Sequence, residues 1–211
     1  MSGPRSEVRL IATLTLAGAL SGLAVVGAYR LTLPAITANQ AAALERAVFE
    51  VLPGATKMEA VAWRDGALVP DAGDGAPVAY AGRAADGRLV GYAIPAAGAG
   101  FADTIKVLYG VDPARRRVVG MAVLESRETP GLGDKIYKDA DFVAEFTDLA
   151  VDPEIELIKG HGEAPQQVDA ITGATISSRA VVRILNTANG EWLERLTPPA
   201  TPAAPAGGGG G

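Results

Sequence analysis

An uncharged run of twenty residues near the N-terminus is the feature that most constrains this chain. Residues 10–29 read LIATLTLAGALSGLAVVGAY, and Arg9 and Arg30 bracket them. A helix of that length spans roughly 30 Å, the thickness of the hydrocarbon core of a bilayer. The run is rich in small residues, so a cleaved signal peptide is the alternative. Its length, and the arginine that follows it, favour a retained transmembrane helix.

The arginines around this run indicate its orientation. Arg5 and Arg9 precede the run, whereas Arg30 follows it. Positive side chains accumulate on the cytoplasmic side of membrane helices, so residues 1–9 are expected in the cytoplasm. The sequence therefore predicts a single-pass protein of the bacterial inner membrane with its folded domain in the periplasm.

The sequence pattern of residues 30–60 predicts a linker helix between the membrane and the folded domain. Pro34 precedes an alanine-rich stretch. Apolar residues recur there at helical spacing, at Ala43, Ala47, Val48 and Val51. A Pro-Gly pair at residues 53–54 ends the pattern, because neither residue continues a helix well.

The sequence pattern of residues 61–196 predicts an α+β domain. Turn-like breaks such as ADGR and DPARR separate five short apolar segments, which indicate a mostly antiparallel sheet: AVAWR, APVAYAGR, LVGYAIPA, DTIKVLYGVD and RVVGMAVLES. A short helix near residues 139–146 and a longer one at 176–196 are expected to flank this sheet. Residues 197–211 are rich in Pro, Ala and Gly, cannot form a core, and are predicted to be a disordered tail.

Composition excludes several kinds of chemistry. With no Cys among its 211 residues, the chain has no disulfide, no thiolate nucleophile and no thiolate ligand for zinc or an iron–sulfur cluster. A net charge of −5 without a basic stripe argues against binding of nucleic acid. The one histidine, His161, lies between glycines and is expected in a surface loop, and no metal site is predicted.

The run TGATISS, residues 172–178, places four hydroxyl groups at the start of the long predicted helix. A helix N-terminus needs one Ser or Thr as a cap, so these hydroxyls exceed that need. The Gly-Ala step leaves the backbone bare. The first helical turn offers free N–H groups and a partial positive charge, which suit a phosphate. On these residues alone, a plain helix cap and a phosphate site both remain open.

The run ETPGLGDKI, residues 128–136, contains a predicted tight turn. Pro and Gly stand at the second and third positions of residues 129–132, which is typical of a type II turn. Many such turns only connect two elements. A binding role and a connecting role therefore both remain open for this run.

Both runs resemble signatures of the FMN-binding domain family. DAITGATISS is similar to the family pattern Ser/Thr-Gly-Ala-Thr-x-Ser/Thr. ETPGLGDKI resembles a run in the G subunit of the Rnf electron-transport complex and in the C subunit of the sodium-pumping NADH:quinone reductase. The order of membrane helix, sheet and the two runs also agrees, and the length of the chain fits the Rnf protein better. The resemblance covers roughly residues 10–195.

In this family, the threonine that ends the Gly-Ala-Thr run is esterified to the phosphate of FMN. The resemblance therefore implies a covalent FMN on Thr175. It also implies cofactor contacts at the neighbouring motif positions Thr172, Gly173, Ala174 and Ser177. A flavin transferase that uses FAD as donor attaches the flavin in such proteins, so this enzyme is an implied partner.

The second run lies against the isoalloxazine ring in the family. The resemblance implies that Gly131 and Gly133 expose backbone groups to the flavin edge, and that Leu132 offers an apolar face. It implies polar contacts from Glu128 and Thr129. Family members often have a glycine-rich run where this chain has Phe-Ala-Asp, so no flavin contact is predicted at residues 101–103.

The resemblance implies an electron-carrying subunit of an ion-translocating oxidoreductase, a translocase that is not catalytic alone. FMN would relay electrons between other membrane subunits that bind ferredoxin and NAD. The run GVDPARRRVVG lacks the glycine spacing of a dinucleotide fingerprint, so the chain itself is not expected to bind NAD. One alternative is the C-type subunit of the sodium-pumping NADH:quinone reductase. Another is a non-redox periplasmic sensor or assembly module with vestigial flavin residues.

Overall fold

The computed structural model describes residues 4–71, 73 and 78–196. Its first element is helix α1, Pro4–Val51. From Val8 onward this helix is long and apolar enough to cross a membrane, and its most apolar window is not buried in the protein. The predicted tail at residues 197–211 lies outside the described residues.

Pro34 does not interrupt α1, whereas the sequence predicts a separate linker helix after it. A proline inside a helix removes one backbone hydrogen bond, but the Leu and Ala residues around it are strong helix formers. The predicted transmembrane and linker segments therefore form one continuous helix. The chain divides into two compact units, the first ending at Leu44 and the second beginning at Glu45.

The second unit contains a seven-stranded sheet, as far as the described residues show. Its strands are β1 (Lys57–Arg64), β2 (Ala67–Pro70), β3 (Val78–Arg83), β4 (Leu89–Ala99), β5 (Thr104–Asp112), β6 (Arg117–Glu125) and β7 (Leu149–Ala150). They lie in the order β2-β1-β3-β4-β5-β6-β7, and every neighbouring pair is antiparallel. The predicted antiparallel sheet is confirmed, and its predicted segments correspond to β1 and β3–β6. The edge strands β2 and β7 are too short for an alternating pattern to reveal them.

The remaining elements follow β6. Helices α2 (Lys135–Lys138) and α3 (Ala140–Ala144) precede β7, and β8 (Glu156–Ile158) and β9 (Gln167–Asp169) follow it. The last two strands pair in parallel and form a separate small sheet. The chain then enters helix α4, Thr175–Leu196, which is the longer helix that the sequence predicts at 176–196.

An apolar stripe on α4 covers one face of the large sheet. Its buried side chains recur every three or four residues, as in any amphipathic helix that packs on a core: Val181, Ile184, Leu185, Ala188 and Trp192. Tyr109 of β5 lies in the same core with 0% exposure. Its hydroxyl donates a hydrogen bond to Asn189 Oδ1 of α4 at 3.0 Å. This hydrogen bond joins α4 to β5 inside the core.

Replacing Tyr109 with phenylalanine should lower the free energy of unfolding by about 1–2 kcal/mol, because a buried hydrogen bond is lost and Asn189 is left with an unpaired oxygen. Urea denaturation would measure the change. The matched control is Tyr137→Phe, since Tyr137 is 43% exposed and its substitution should be nearly neutral. Equal stability of the two variants would contradict the prediction.

The end of α1 lies close to the sheet across four glycines. Leu52, the residue after α1, and Val51 contact Gly82, Gly91, Gly110 and Gly120, which belong to β3, β4, β5 and β6. A Cβ atom at Gly110 would lie 2.0 Å from the carbonyl oxygen of Val51, much closer than any real contact. Glycine is therefore required there to let the helix end approach the backbone of the sheet.

Candidate cofactor site

The predicted turn at residues 129–132 is present. The backbone N–H of Leu132 donates to the carbonyl oxygen of Thr129 at 3.1 Å, and Gly131 has φ +79°. A positive φ at the third position is the mark of a type II turn and favours glycine. The buried carboxylate of Asp134 accepts from Gly131 N–H at 2.8 Å. The Lys138 ammonium, assisted by that N–H, lowers the pKa of Asp134.

A second tight turn leads into α4. The backbone N–H of Ala174 donates to the carbonyl oxygen of Ile171 at 2.9 Å, and Gly173 in between has φ +83°. Thr175 is then the first residue of α4. The first N–H groups of a helix have no intrahelical acceptor and carry its partial positive charge. The turn therefore presents the Thr175 hydroxyl beside an N-terminus suited to an anion.

The four hydroxyl groups of this segment have different environments. Ser178 is fully buried, donates to the carbonyl oxygen of Ala174 at 3.1 Å and accepts from the backbone N–H of Ile171 at 3.2 Å. Ser177 is buried and donates to Glu128. Thr172 and Thr175 make no side-chain hydrogen bond within the described part of the chain. Thr172 is exposed and Thr175 is half-buried.

Glu128 is buried where three segments of the chain meet. Its Oε1 atom accepts from the backbone N–H groups of Phe101 and Ala102, both at 2.9 Å, and its Oε2 atom accepts from Ser177 Oγ. Burial raises the pKa of Glu128, but the hydrogen bonds from Ser177 and from the backbone of residues 101–103 outweigh it. The pKa therefore lies below its ordinary value, and the carboxylate is charged at neutral pH.

These segments enclose a cavity of about 320 Å³. Its lining consists of Phe101, Thr129, Leu132, Gly133, Gly173, Ala174, Thr175, Ile176 and Ser177. The apolar side chains of Phe101, Leu132 and Ile176 are 65%, 50% and 56% exposed. A volume of this size is within the range of ligand sites, and an apolar lining with a few polar groups is their usual composition.

The structure brings most of the predicted site residues together. Seven of them line the cavity: Thr129, Leu132, Gly133, Gly173, Ala174, Thr175 and Ser177. Three do not, because Glu128 lies behind the wall, Gly131 is at the tip of the turn, and Thr172 is exposed to solvent. The roles of all ten residues toward a cofactor stay predictions.

Two lining residues were not predicted from the sequence. Phe101 lies in the segment where no flavin contact was predicted, and Ile176 is in the first turn of α4. Both are large apolar side chains that the folded chain leaves more than half exposed, a property that the sequence alone does not show. Among the described residues, no cluster of three or more His, Asp or Glu side chains is arranged to hold a metal ion.

Asp169, the acidic residue upstream of the TGAT run, faces another cavity. It lines an open, polar cavity of about 340 Å³ together with Glu145 and His161. Its Oδ1 atom accepts from Gly162 N–H at 3.0 Å, which holds the loop before β9. Asp169 therefore holds the loop before β9 and does not line the cavity at Thr175.

The low pKa of Glu128 predicts a pH-dependent contribution to stability. The folded pKa lies below the value of about 4.3 in the unfolded chain, so the contribution is present at neutral pH and is lost as the pH falls through the folded pKa. Glu128→Gln should therefore lower the free energy of unfolding by about 1–3 kcal/mol at neutral pH, and by less in acid. Urea titrations across this range would measure the difference. A control is Glu163→Gln at an exposed position, and an equally pH-dependent difference there would contradict the prediction.

The residues present fit a phosphorylated flavin. A free hydroxyl at a helix N-terminus can hold the phosphate, and the exposed apolar side chains offer surface for a ring. Gly173 and Gly131 leave the third position of each turn, where φ is positive, without a side chain. The cavity thus combines a helix N-terminus suited to an anion with an exposed apolar surface.

The family described as "FMN-binding domain" matches residues 100–189. This range begins at the segment that carries Phe101 and ends within α4. It therefore contains all three chain segments that form the cavity.

Relatives by sequence belong to ion-translocating complexes. The G subunit of the ion-translocating oxidoreductase complex of Methanosarcina acetivorans is 34% identical over 188 residues, which cover 89% of this chain and 95% of that protein. The G subunit of the Na(+)-translocating ferredoxin:NAD(+) oxidoreductase complex of Acetobacterium woodii is 33% identical over 147 residues, or 65% of this chain and 68% of that protein.

Two solved structures share the fold. NqrC of Shewanella oneidensis has a TM-score of 0.59 at 18% identity and covers 71% of this chain and 91% of its own. The C subunit of the Na(+)-translocating NADH-quinone reductase of Parabacteroides distasonis has a TM-score of 0.59 at 21% identity, with coverages of 77% and 96%. These structures support the fold alone. The 34% identity to the Methanosarcina acetivorans protein over nearly the full length of both chains identifies the family, as the resemblance predicted: this chain belongs to the G subunits of ion-translocating oxidoreductase complexes.

Proposed function

We propose that this chain carries FMN and relays electrons between other subunits of an ion-translocating oxidoreductase complex of the Rnf type. Its relative from Acetobacterium woodii is named as part of a ferredoxin:NAD(+) oxidoreductase complex. A flavin accepts electrons singly or in pairs, so it suits a relay between carriers of different stoichiometry. The chain has no Cys to ligate an iron–sulfur cluster, which leaves the flavin as its redox group.

The observation that supports a covalent link is the environment of Thr175. Ser177 and Ser178 use their hydroxyls to hold neighbouring groups, and Thr172 does not line the cavity. Within this segment, Thr175 alone combines a position in the cavity with a hydroxyl that makes no hydrogen bond to the described residues. We therefore assign the phosphoester of FMN to Thr175.

The surrounding residues have distinct parts in binding. The N–H groups of the first turn of α4 would hold the phosphate, because they point out of the helix end toward it. The apolar faces of Phe101, Leu132 and Ile176 would pack on the ring and exclude water from it. Thr129 and the backbone of Gly133 would supply the polar contacts, since both line the same cavity.

The long apolar part of α1 would anchor the domain in the membrane. The excess of arginines before the apolar run argues for a cytoplasmic N-terminus and a periplasmic cofactor domain. A covalent bond would keep the flavin from diffusing away there. The other membrane subunits would be its electron donors and acceptors, and a flavin transferase using FAD would attach the FMN.

Mass spectrometry tests this function directly. The full chain would be co-expressed with a flavin transferase and purified in detergent. The expected result is a mass increase of one FMN less one water, located on the tryptic peptide of residues 160–179. An unmodified chain, or a flavin on another peptide, would overturn the assignment to Thr175.

The orientation needs a separate measurement. A reporter enzyme that is active only outside the cytoplasm, fused after residue 196, should be active in cells. Activity of a cytoplasmic reporter at the same position would place the domain on the other side of the membrane.

A further inference from the structure

We propose that Glu128 is a positioning residue: its carboxylate holds together the three chain segments that form the flavin cavity, and it acts on the flavin through them. This inference rests on the proposed binding of FMN in that cavity. The resemblance implies a direct polar contact for Glu128, whereas the structure places the side chain behind the cavity wall, 5% exposed.

The hydrogen bonds of Glu128 join parts of the chain that are far apart in sequence. Its Oε1 atom binds two successive backbone N–H groups between β4 and β5, those of Phe101 and Ala102 at 2.9 Å. Its Oε2 atom binds Ser177 Oγ in the first turn of α4. A carboxylate has about four acceptor positions, so three of them are committed to the protein. Loss of this side chain would leave two part-buried N–H groups and the buried Ser177 hydroxyl without that acceptor.

Two glycines leave space for the carboxylate. A Cβ atom at Gly100 would lie 2.4 Å from Glu128 Oε1, and one at Gly133 would lie 2.6 Å from Oε2 and 2.8 Å from Ser177 Oγ. Any side chain at either position would displace the carboxylate. The close packing shows that the three segments meet around Glu128 itself, without intervening groups.

Each of the three segments carries one of the apolar side chains that line the cavity. Phe101 follows β4, Leu132 is in the turn after Glu128, and Ile176 is in the first turn of α4. All three are at least 50% exposed, so packing against the core does not fix them. The hydrogen bonds of Glu128 join the three segments that carry these side chains. The carboxylate therefore preforms the apolar surface on which the ring is to pack.

The charge of Glu128 gives the role a second consequence. Reduction adds negative charge to a flavin, and a nearby carboxylate in poorly solvated surroundings opposes that addition. The carboxylate should therefore lower the reduction potential of the flavin. If Glu128 only supported the fold, replacing it with an uncharged side chain that keeps the fold would leave the reduction potential of the flavin unchanged.

The first test uses the full chain without flavin, so it does not depend on the Thr175 assignment. Hydrogen exchange of the Phe101 and Ala102 amides would be compared in wild type, Glu128→Gln and Glu128→Ala. We expect exchange to be at least about tenfold faster in Glu128→Ala, because both amides lose a charged acceptor. Glu128→Gln keeps one oxygen acceptor and should show a smaller increase. Unchanged exchange in both variants would overturn the proposal.

Glu125→Gln is the matched control. Glu125 ends β6, is exposed and pairs with Lys106 at 2.7 Å, so its substitution should leave both amides protected. If Glu128→Ala does not fold, Ser177→Ala removes one of the same hydrogen bonds with a smaller loss. Faster exchange in Ser177→Ala at residues 101 and 102 supports the connection between the segments, and its absence argues against it.

The second test uses the flavin-loaded chain. Glu128→Gln should raise the midpoint potential of the bound flavin and lower its fluorescence anisotropy, whereas Glu125→Gln should change neither. An unchanged potential in Glu128→Gln would overturn the effect of the charge. If no chain, wild type included, carries a covalent flavin while the exchange results hold, the proposed function fails, and what stands is that Glu128 holds the three segments together.

Discussion

Replacing Thr175 with valine should abolish the covalent flavin. Valine has nearly the shape of threonine but has no oxygen to form the phosphoester. Boiling in detergent removes any flavin held only by contacts, so a denaturing gel under ultraviolet light reports the covalent fraction alone. We expect a fluorescent band for the wild-type chain co-expressed with a flavin transferase, and a dark band for Thr175→Val.

Neighbouring hydroxyls supply the controls for this experiment. Thr172→Val removes an exposed hydroxyl outside the cavity, and Thr129→Val removes one inside it. Both variants should keep the fluorescent band. A band that persists in Thr175→Val and disappears in one of the others would move the ester to that residue. A dark band for the wild type would instead support the sensor or assembly module.

Thr175→Val should have little effect on folding, which makes its loss of flavin interpretable. The Thr175 hydroxyl makes no hydrogen bond to the described residues, so no partner is left unpaired. Substitutions at such positions usually change stability by less than about 1 kcal/mol. Circular dichroism and urea denaturation of the unloaded chains should therefore be nearly identical.

The turn at residues 129–132 could be predicted from the sequence because local chemistry determines it. Proline at the second position and glycine at the third favour a type II turn at residues 129–132 whatever surrounds it. Gly173 similarly permits the tight entry into α4, where its φ is +83°. The antiparallel sheet and α4 also follow from their apolar periodicity. These parts depend on residues that are close in sequence.

The part of the site that could not be predicted depends on contacts distant in sequence. Glu128 meets Phe101 and Ser177 across 27 and 49 residues, and nothing in the intervening sequence indicates that they are neighbours. Phe101 was assigned no flavin contact because its segment departs from the family pattern. A buried carboxylate with three donors is a property of the folded chain.

The continuation of α1 through Pro34 was also missed, for a related reason. Proline usually marks a helix boundary, and the sequence offers no measure of how well the flanking turns compensate. The far end of α1 is in turn fixed by contacts with the sheet. Those contacts depend on glycines in four different strands. Each of these glycines, taken alone in the sequence, indicates only a weak strand position.

Replacing Gly110 with alanine should therefore destabilise the domain strongly. The added Cβ atom would lie 2.0 Å from the carbonyl oxygen of Val51 and 2.9 Å from its carbonyl carbon. Both contacts are with backbone, which cannot rotate away as a side chain does. Relief requires that the end of α1 move off the sheet or that β5 bend. We expect a loss of about 3 kcal/mol in the free energy of unfolding, at the upper end of the usual cost of overpacking.

Gly190→Ala provides a control with the same chemical change and the opposite expected sign. Gly190 lies within α4, and a Cβ atom there would meet nothing within 4 Å. Alanine has a higher helix propensity than glycine, so this variant should gain up to about 1 kcal/mol. Urea denaturation of both variants would measure the contrast. Because the clash is with Val51, Gly110→Ala should also speed hydrogen exchange near residues 48–52 more than in α4. Equal stability of the two variants would show that the helix end is not held against Gly110.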